Sequence, residues 1–501
     1  MSTASQVARN TIIQFAGKII GLIFALVTLG IILRYLGQEG FGQYTTIITY
    51  VSIFSIIADL GLYLIVTREI SKDDANENKI LSNAFTIKLL CSIIILIVAY
   101  FASFLFPYSN IIKTGIIIAS FSFLFILLNQ ILIGLFQKHF AMHWVALGEI
   151  LSRFIWLVGA YMVIRYDMGL YYLLVALTIG NFFNFLIVFL ASRKFVQIKF
   201  AYDKELWKKI FKMAAPLAFS VVFNLVYFKI ATIFLSILKT QKDVGIYGAP
   251  FKILESLIAF AAIFAGLLLP LLSKFYKENT DKFREIFKKG TNVLIIFVIP
   301  MCVGTIFFAR EIMELAGGEE FADSNNVLKI LIFAVGAIFF SHLFGNTAIA
   351  CNQQKKIMWV YMVTAILSVI LNVLLIPKLS YYGASIAVTV SEVFVATVIF
   401  ILIYLKSKVT LNYKIFFKSL ASVASMLLVL LVLPKWHFTI NVFLGSATYF
   451  LILYLLRGFS KEMVLDIINI KKKYQYSYKN QAYLHRQHNL KILRYFLYLN
   501  L

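Results

Sequence analysis

Apolar stretches of about 20 residues, the length a bilayer core demands of a helix, tile the chain from residue 11 to residue 456. They are continuous rather than alternating, which predicts helices instead of the strands of a barrel. A soluble fold could not hide 501 residues that are 61% hydrophobic and only 14% charged, with a mean hydropathy of +0.87. The expected fold class is an all-α polytopic membrane protein with about 14 transmembrane helices. Twelve of these spans form two sets of six, at 11–191 and 217–405, and two more follow at 415–433 and 438–456.

The first two spans flank Arg34-Tyr35-Leu36-Gly37-Gln38-Glu39-Gly40-Phe41-Gly42-Gln43-Tyr44, which reads as a Gly-rich turn. A shorter version, Val244-Gly245-Ile246-Tyr247, returns in the second half of the chain. A helical hairpin repeated at half-chain spacing is the pattern of a two-lobed transporter. The expected division is a six-helix lobe at 1–195, an amphipathic cytoplasmic linker at 196–216 and a second six-helix lobe at 217–406. Two extra helices at 407–457 and a basic tail at 458–501 complete it. The pattern Lys204-Glu205-Leu206-Trp207-Lys208-Lys209-Ile210-Phe211-Lys212 suits a helix lying among lipid headgroups.

The net charge of +24 invites a nucleic-acid reading. The bases, however, sit mostly in short loops and the tail, where they set topology and meet anionic membrane lipids. With the N-terminus inside, inner turns and tail carry about 33 Lys and Arg against about 8 outside, so both termini are expected in the cytoplasm. The first span is too long for a cleavable signal and is expected to stay as an anchor. Cys91, Cys302 and Cys351 lack metal spacing, as do the six histidines, and no phosphate-binding loop is present. No cofactor and no enzymatic activity are expected, and no outside loop is long enough to hold a catalytic domain.

Charges inside spans are costly and are expected to face a partner or a wet cavity. Glu149 with Arg153, and Lys252 with Glu255, are spaced to neutralise each other on one helix face. Lys88 and Lys329 lie near span ends and can snorkel. Lys18 and Lys229 have no acid nearby in sequence and sit on the first helix of each set, so with Lys252 they are the candidate phosphate-binding cations. Asp59, Glu149, Glu255 and Glu392 are the candidate ion-coupling acids. Tyr50, Tyr63, Tyr227 and Tyr247 could stack on sugars. Pro216, Pro250, Pro270, Pro300 and Pro377 fall at or inside spans, where proline can kink a moving helix.

Asn10, Gly17, Arg34-Tyr35-Leu36-Gly37, Phe41-Gly42-Gln43-Tyr44, Asp59-Leu60-Gly61-Leu62 and Arg68-Glu69 resemble the amino-terminal signature of polysaccharide transporters. Val244-Gly245-Ile246-Tyr247, Lys252-Ile253, Pro300, Asn372-Val373-Leu374-Leu375-Ile376-Pro377 and Gly383-Ala384-Ser385 continue it. These are O-antigen and capsule repeat-unit flippases of the multidrug/oligosaccharidyl-lipid/polysaccharide exporter superfamily. The resemblance implies two lobes around a cationic cavity that opens alternately to each side. It implies an undecaprenyl-pyrophosphate-linked oligosaccharide as cargo, in the bacterial cytoplasmic membrane, with a polysaccharide polymerase and chain-length machinery as protein partners. A small-molecule antiporter of the same superfamily is the nearest alternative, and a membrane glycan polymerase a more distant one.

Overall fold

The computed structural model describes residues 3–59, 61–72, 74–432 and 438–459, with the side chains of 3–16 and 215–226 left aside. Backbone amides satisfy one another inside lipid only by staying helical, and the helices follow the apolar runs closely. In chain order they are α1 (Thr3–Asp59), α2 (Leu62–Ile70), α3 (Glu77–Ala102), α4 (Asn110–Lys138), α5 (His143–Arg165) and α6 (Leu170–Ser192). Then come α7 (Lys204–Leu238), α8 (Gln241–Glu278), α9 (Thr280–Phe307), α10 (Ala309–Gly317), α11 (Asn325–Ala350) and α12 (Gln354–Ser407). The last two are α13 (Tyr413–Val432) and α14 (Phe438–Leu455). Among the described residues, eleven helices are long and apolar enough to cross a membrane. Their outward faces stay greasy, as at Ile94, Phe101 and Leu105 on the first of these after α2.

In two of the expected hairpins, within α1 and α12, two helices meet across a sharp kink at a single non-helical residue instead of a longer turn. The Gly-rich segment is helical on both sides of Gly37, whose φ of 62° and ψ of −173° break α1 at one residue. Only glycine adopts such a conformation without strain. In the second half, Val244 to Tyr247 lie inside α8 rather than in a turn. The reversal comes earlier, at Lys239-Thr240, because Thr240 and Asp243 form a reciprocal cap that starts α8. α12 likewise runs through Pro377 and breaks at Ser380 (φ 48°). The Lys239 ammonium donates to the Pro377 carbonyl at 2.9 Å.

The segment Ile12–Asn412 is one compact unit. Its core is continuous at one end and divided at the other. Near Gly37, Leu29, Leu33, Phe41 and Ile47 share a cluster with Ile233, Val244, Tyr247, Met313 and Phe321. At the opposite end, one cluster holds Leu62, Val66, Leu81, Phe85 and Leu132, and a separate one holds Leu268, Phe283, Phe287, Leu343 and Ile399. The first six helices and the next six thus share one core at the Gly37 end and have separate cores at the other, where the start of α7 (Ile210, Ala214) still packs with the first set. In the second unit, α13 packs on α14, with Ser419 and Tyr449 hydrogen-bonded at 2.6 Å in its interior. The expected tail at 458–501 lies outside the described residues, apart from its first two.

Candidate functional site: charges where the halves part

The fused end is held by glycine. Gly42 of α1 lies directly on α8: a Cβ there would sit 1.7 Å from the Gln241 carbonyl oxygen. Gly245 is the reciprocal case, 1.8 Å from the Gln38 carbonyl oxygen. The two repeated motifs therefore touch each other, backbone to backbone, and only glycine permits the approach. Polar bonds surround the crossing. Thr46 donates to the Gln241 side chain at 2.7 Å, and the Gln38 N–H donates to the Glu320 carboxylate at 2.7 Å. Arg34 donates to the Leu315 carbonyl at 2.9 Å. Tyr108 and Ser236 are hydrogen-bonded at 3.0 Å.

Below this closed end several of the candidate charges fall, along their helices, near where the shared core gives way to the separate ones. On α8, Gly245 and Gly248 meet α1, Leu254 belongs to the shared core, and Ala265 belongs to the separated one. Lys252 and Glu255 fall at that boundary. Lys229 falls there on α7, between Tyr227 and Ala231, and Glu392 on α12, between Val388 and Val395. In the first half, Asp59 lies between Val51 and Leu62, and Lys88 between Ile87 and Leu96.

Glu255 joins the two cations of the second half. Its carboxylate accepts from Lys229 at 2.8 Å and from Lys252 at 2.6 Å. Lys229, expected to lack an acid, gains one from the neighbouring helix, a pairing that spacing along one helix does not reveal. Its ammonium also lies 5.5 Å from the ring centres of Phe228 and Phe251. Two cations against one acid leave the triad with an excess positive charge, and the Lys252 side chain is 47% exposed. Lys18 is exposed as well. It continues a face of α1 whose exposure grows away from the closed end, from buried Leu33 and Leu29 through half-buried Ala25 and Leu22.

Other expected placements are corrected. Lys88 does not snorkel: it is fully buried and ion-paired to Asp59. That pair sits at the break between α1 and α2, where Gly61 takes a φ of 71°. Glu149 and Arg153 form no ion pair with each other among the described residues; the Arg153 stem lies against Gly21 instead. Tyr50 and Tyr247 are buried core residues, with the Tyr50 hydroxyl donating to the Ala99 carbonyl at 2.9 Å, so neither offers a face to a sugar. Tyr227 is buried too and lies close to Glu392, which is only 2% exposed. The Tyr63 hydroxyl accepts from Gln137 at 2.8 Å. The apolar side of residues 204–214, expected to face lipid, packs Ile210 and Ala214 against α2 and α3. The missed elements were the Gly42–Gly245 crossing and the second partner of Glu255; the repeated glycines were the available signal for the first.

This arrangement has counterparts. Residues 7–276 match the family described as polysaccharide biosynthesis protein, and residues 216–374 match MatE. The chain is 25% identical over 404 residues to the capsular polysaccharide biosynthesis protein CapF of Staphylococcus aureus, covering 79% of this chain and 98% of that protein. It is 24% identical over 415 residues to the probable low-salt glycan biosynthesis flippase Agl15 of Haloferax volcanii, covering 81% and 85%. Among solved structures it is similar to the lipid II flippase MurJ in an inward closed conformation. That match has a TM-score of 0.73, 17% identity, and coverage of 89% and 98%. An inward-facing multidrug resistance MATE family transporter of the MOP superfamily gives a TM-score of 0.61 at 15% identity, covering 79% and 98%. The solved relatives share the fold. With more than half its length matched, the chain belongs to the polysaccharide biosynthesis protein family.

Proposed function

We propose that the protein is a flippase for lipid-linked glycan in polysaccharide biosynthesis, working by alternating access between two six-helix lobes. The observation that carries this reading is the cationic triad of Lys229, Glu255 and Lys252 at the level where the halves part, below a closed end. A pyrophosphate is the anion such a site suits: charge-assisted bonds from two ammoniums replace its hydration. The sugar stays in the wet space between the halves, while the polyprenyl tail remains in lipid. Lys18 contributes a further positive charge from the first half. The finer reading is an undecaprenyl-pyrophosphate-linked repeat unit of O-antigen or capsule, moved outward across the bacterial cytoplasmic membrane. In this assignment the linker end and both termini face the cytoplasm.

Coupling to an ion gradient fits the buried acids. One charge crossing the membrane gains about 2.3 kcal/mol per 100 mV. Glu392 is the preferred carrier, since it has no basic partner among the described residues. Asp59 is already paired with Lys88, and Glu255 with two lysines. Glu149, half-buried and free of an ion pair with Arg153, is the next candidate.

Complementation of a flippase-null strain tests the reading, scored by lipid-linked sugars trapped on the inner leaflet. Rescue by the wild type, lost in Lys18→Ala, Lys229→Ala and Lys252→Ala at unchanged membrane abundance, is expected. Rescue by all three variants would remove the cation assignment. Dye efflux without rescue would favour the antiporter.

A further inference from the structure

Residues 196–203 leave α6 and run in extended form along α3 before α7 begins. Their alternate backbone N–H groups are taken one by one by side chains of α3. Gln197 donates to Asn78 at 2.8 Å, Lys199 to Ser82 at 3.1 Å, Ala201 to Thr86 at 3.1 Å and Asp203 to Asn83 at 2.8 Å. The match is geometric. Four helical residues advance about 6 Å, and two extended residues advance about 6.6 Å. Asn78, Ser82 and Thr86 therefore keep step with every second residue of the strap.

Asn83 is the centre of this ladder. It is 2% exposed and hydrogen-bonded through both its amide oxygen and its amide nitrogen. Its oxygen accepts from the Asp203 N–H and, at 3.0 Å, from the Trp207 indole, while its amide donates to the Lys79 carbonyl at 2.9 Å. Asp203 in turn caps α7 by accepting from the Leu206 N–H at 3.0 Å, and pairs with Lys79 at 2.6 Å. Glu69 of α2 holds Lys209 at 3.0 Å. These charges line a cavity of about 510 Å³ between α2, α3 and the start of α7.

We propose that Asn83 is a positioning residue for transport, and that the strap and the first turns of α7 stay attached to α3 at every stage of the cycle. The entry angle of α7, and with it the placement of Lys229 further along, is set by α3 rather than by lipid. This rests on the flippase reading only for its transport readout.

The test replaces Cys91, Cys302 and Cys351 with Ala and introduces Asn78→Cys with Gln197→Cys. Its probe is a fluorescent undecaprenyl-pyrophosphate-linked sugar in vesicles. The oxidised strap is expected to transport within about twofold of the reduced one. A loss of about tenfold or more, restored by reductant, would overturn the proposal. Asn83→Ala is expected to lower turnover about tenfold with probe affinity and abundance unchanged, and Asn83→Gln, which keeps both the acceptor and the donor, to restore part of it. Wild-type turnover in Asn83→Ala would overturn the assignment. A second arm needs no cargo: adding Thr46→Cys and Gln241→Cys locks the closed end, and the strap cross-link should form to the same yield with or without that lock. A yield that depends on the lock would overturn the proposal, whereas absence of probe transport in the wild type would count against the flippase reading alone.

Discussion

At the scale of single residues, the account turns on Glu255 as the shared acid of two lysines. Removing Lys252 leaves a neutral Lys229–Glu255 pair and should weaken affinity for a pyrophosphate lipid about tenfold, the worth of one charge-assisted hydrogen bond. Glu255→Gln frees both ammoniums and should tighten binding instead; equilibrium binding in detergent measures both. Asp59→Ala strands Lys88 in a buried site and should cost about 3 kcal/mol or more of stability. Asp59→Leu with Lys88→Met should recover most of it in thermal unfolding. Only part of this was legible in the sequence. Lys252 and Glu255 are three apart on one helix, so their pairing could be read directly. Lys229–Glu255 and Lys88–Asp59 are separated by 26 and 29 residues, and such pairs depend on how neighbouring helices are rotated. Helix rotation is decided by packing, which leaves no local mark on the chain.

At the scale of elements, apolar length determined where helices run, while their ends were set by individual backbone choices. Gly37 alone interrupts α1, so eleven residues read as a turn are mostly helix. The second glycine motif is helical because Thr240 caps earlier. Both motifs were visible; their mutual contact was not, since it joins segments about half a chain apart. Gly42→Ala or Gly245→Ala should force the helices apart, costing about 1–3 kcal/mol as overpacking does and leaving the Thr46–Gln241 cysteine pair unable to cross-link. The strap has its own pH signature. The Lys79 ammonium, and then the Leu206 N–H, hold the Asp203 carboxyl below the usual carboxylate range. A depressed carboxyl stabilises above its unfolded value of about 3.9 and loses that contribution as pH falls through the folded value. Amide exchange at Gln197, Lys199, Ala201 and Asp203 should therefore stay protected between pH 5 and 8 by this pair, and protection should fall only in stronger acid. Loss near neutral pH would exclude Asp203 as the anchor.

At the scale of the molecule, composition and continuous apolar runs were enough to give the membrane class, because bilayer burial constrains every span at once, while the family resemblance rested on the ordered motifs between Asn10 and Ser385. What they could not give is the state of the bundle, since a closed and an open end use the same helices. One shared core near Gly37 and two separate cores beyond it describe a chain closed at one end, with its cations at the parting. Flipping requires that closed end to open. The most direct measurement is transport of a fluorescent undecaprenyl-pyrophosphate-linked sugar by reconstituted Thr46→Cys/Gln241→Cys protein lacking the native cysteines. Oxidation should abolish transport and reductant should restore it; undiminished transport by the fully cross-linked protein would contradict the account.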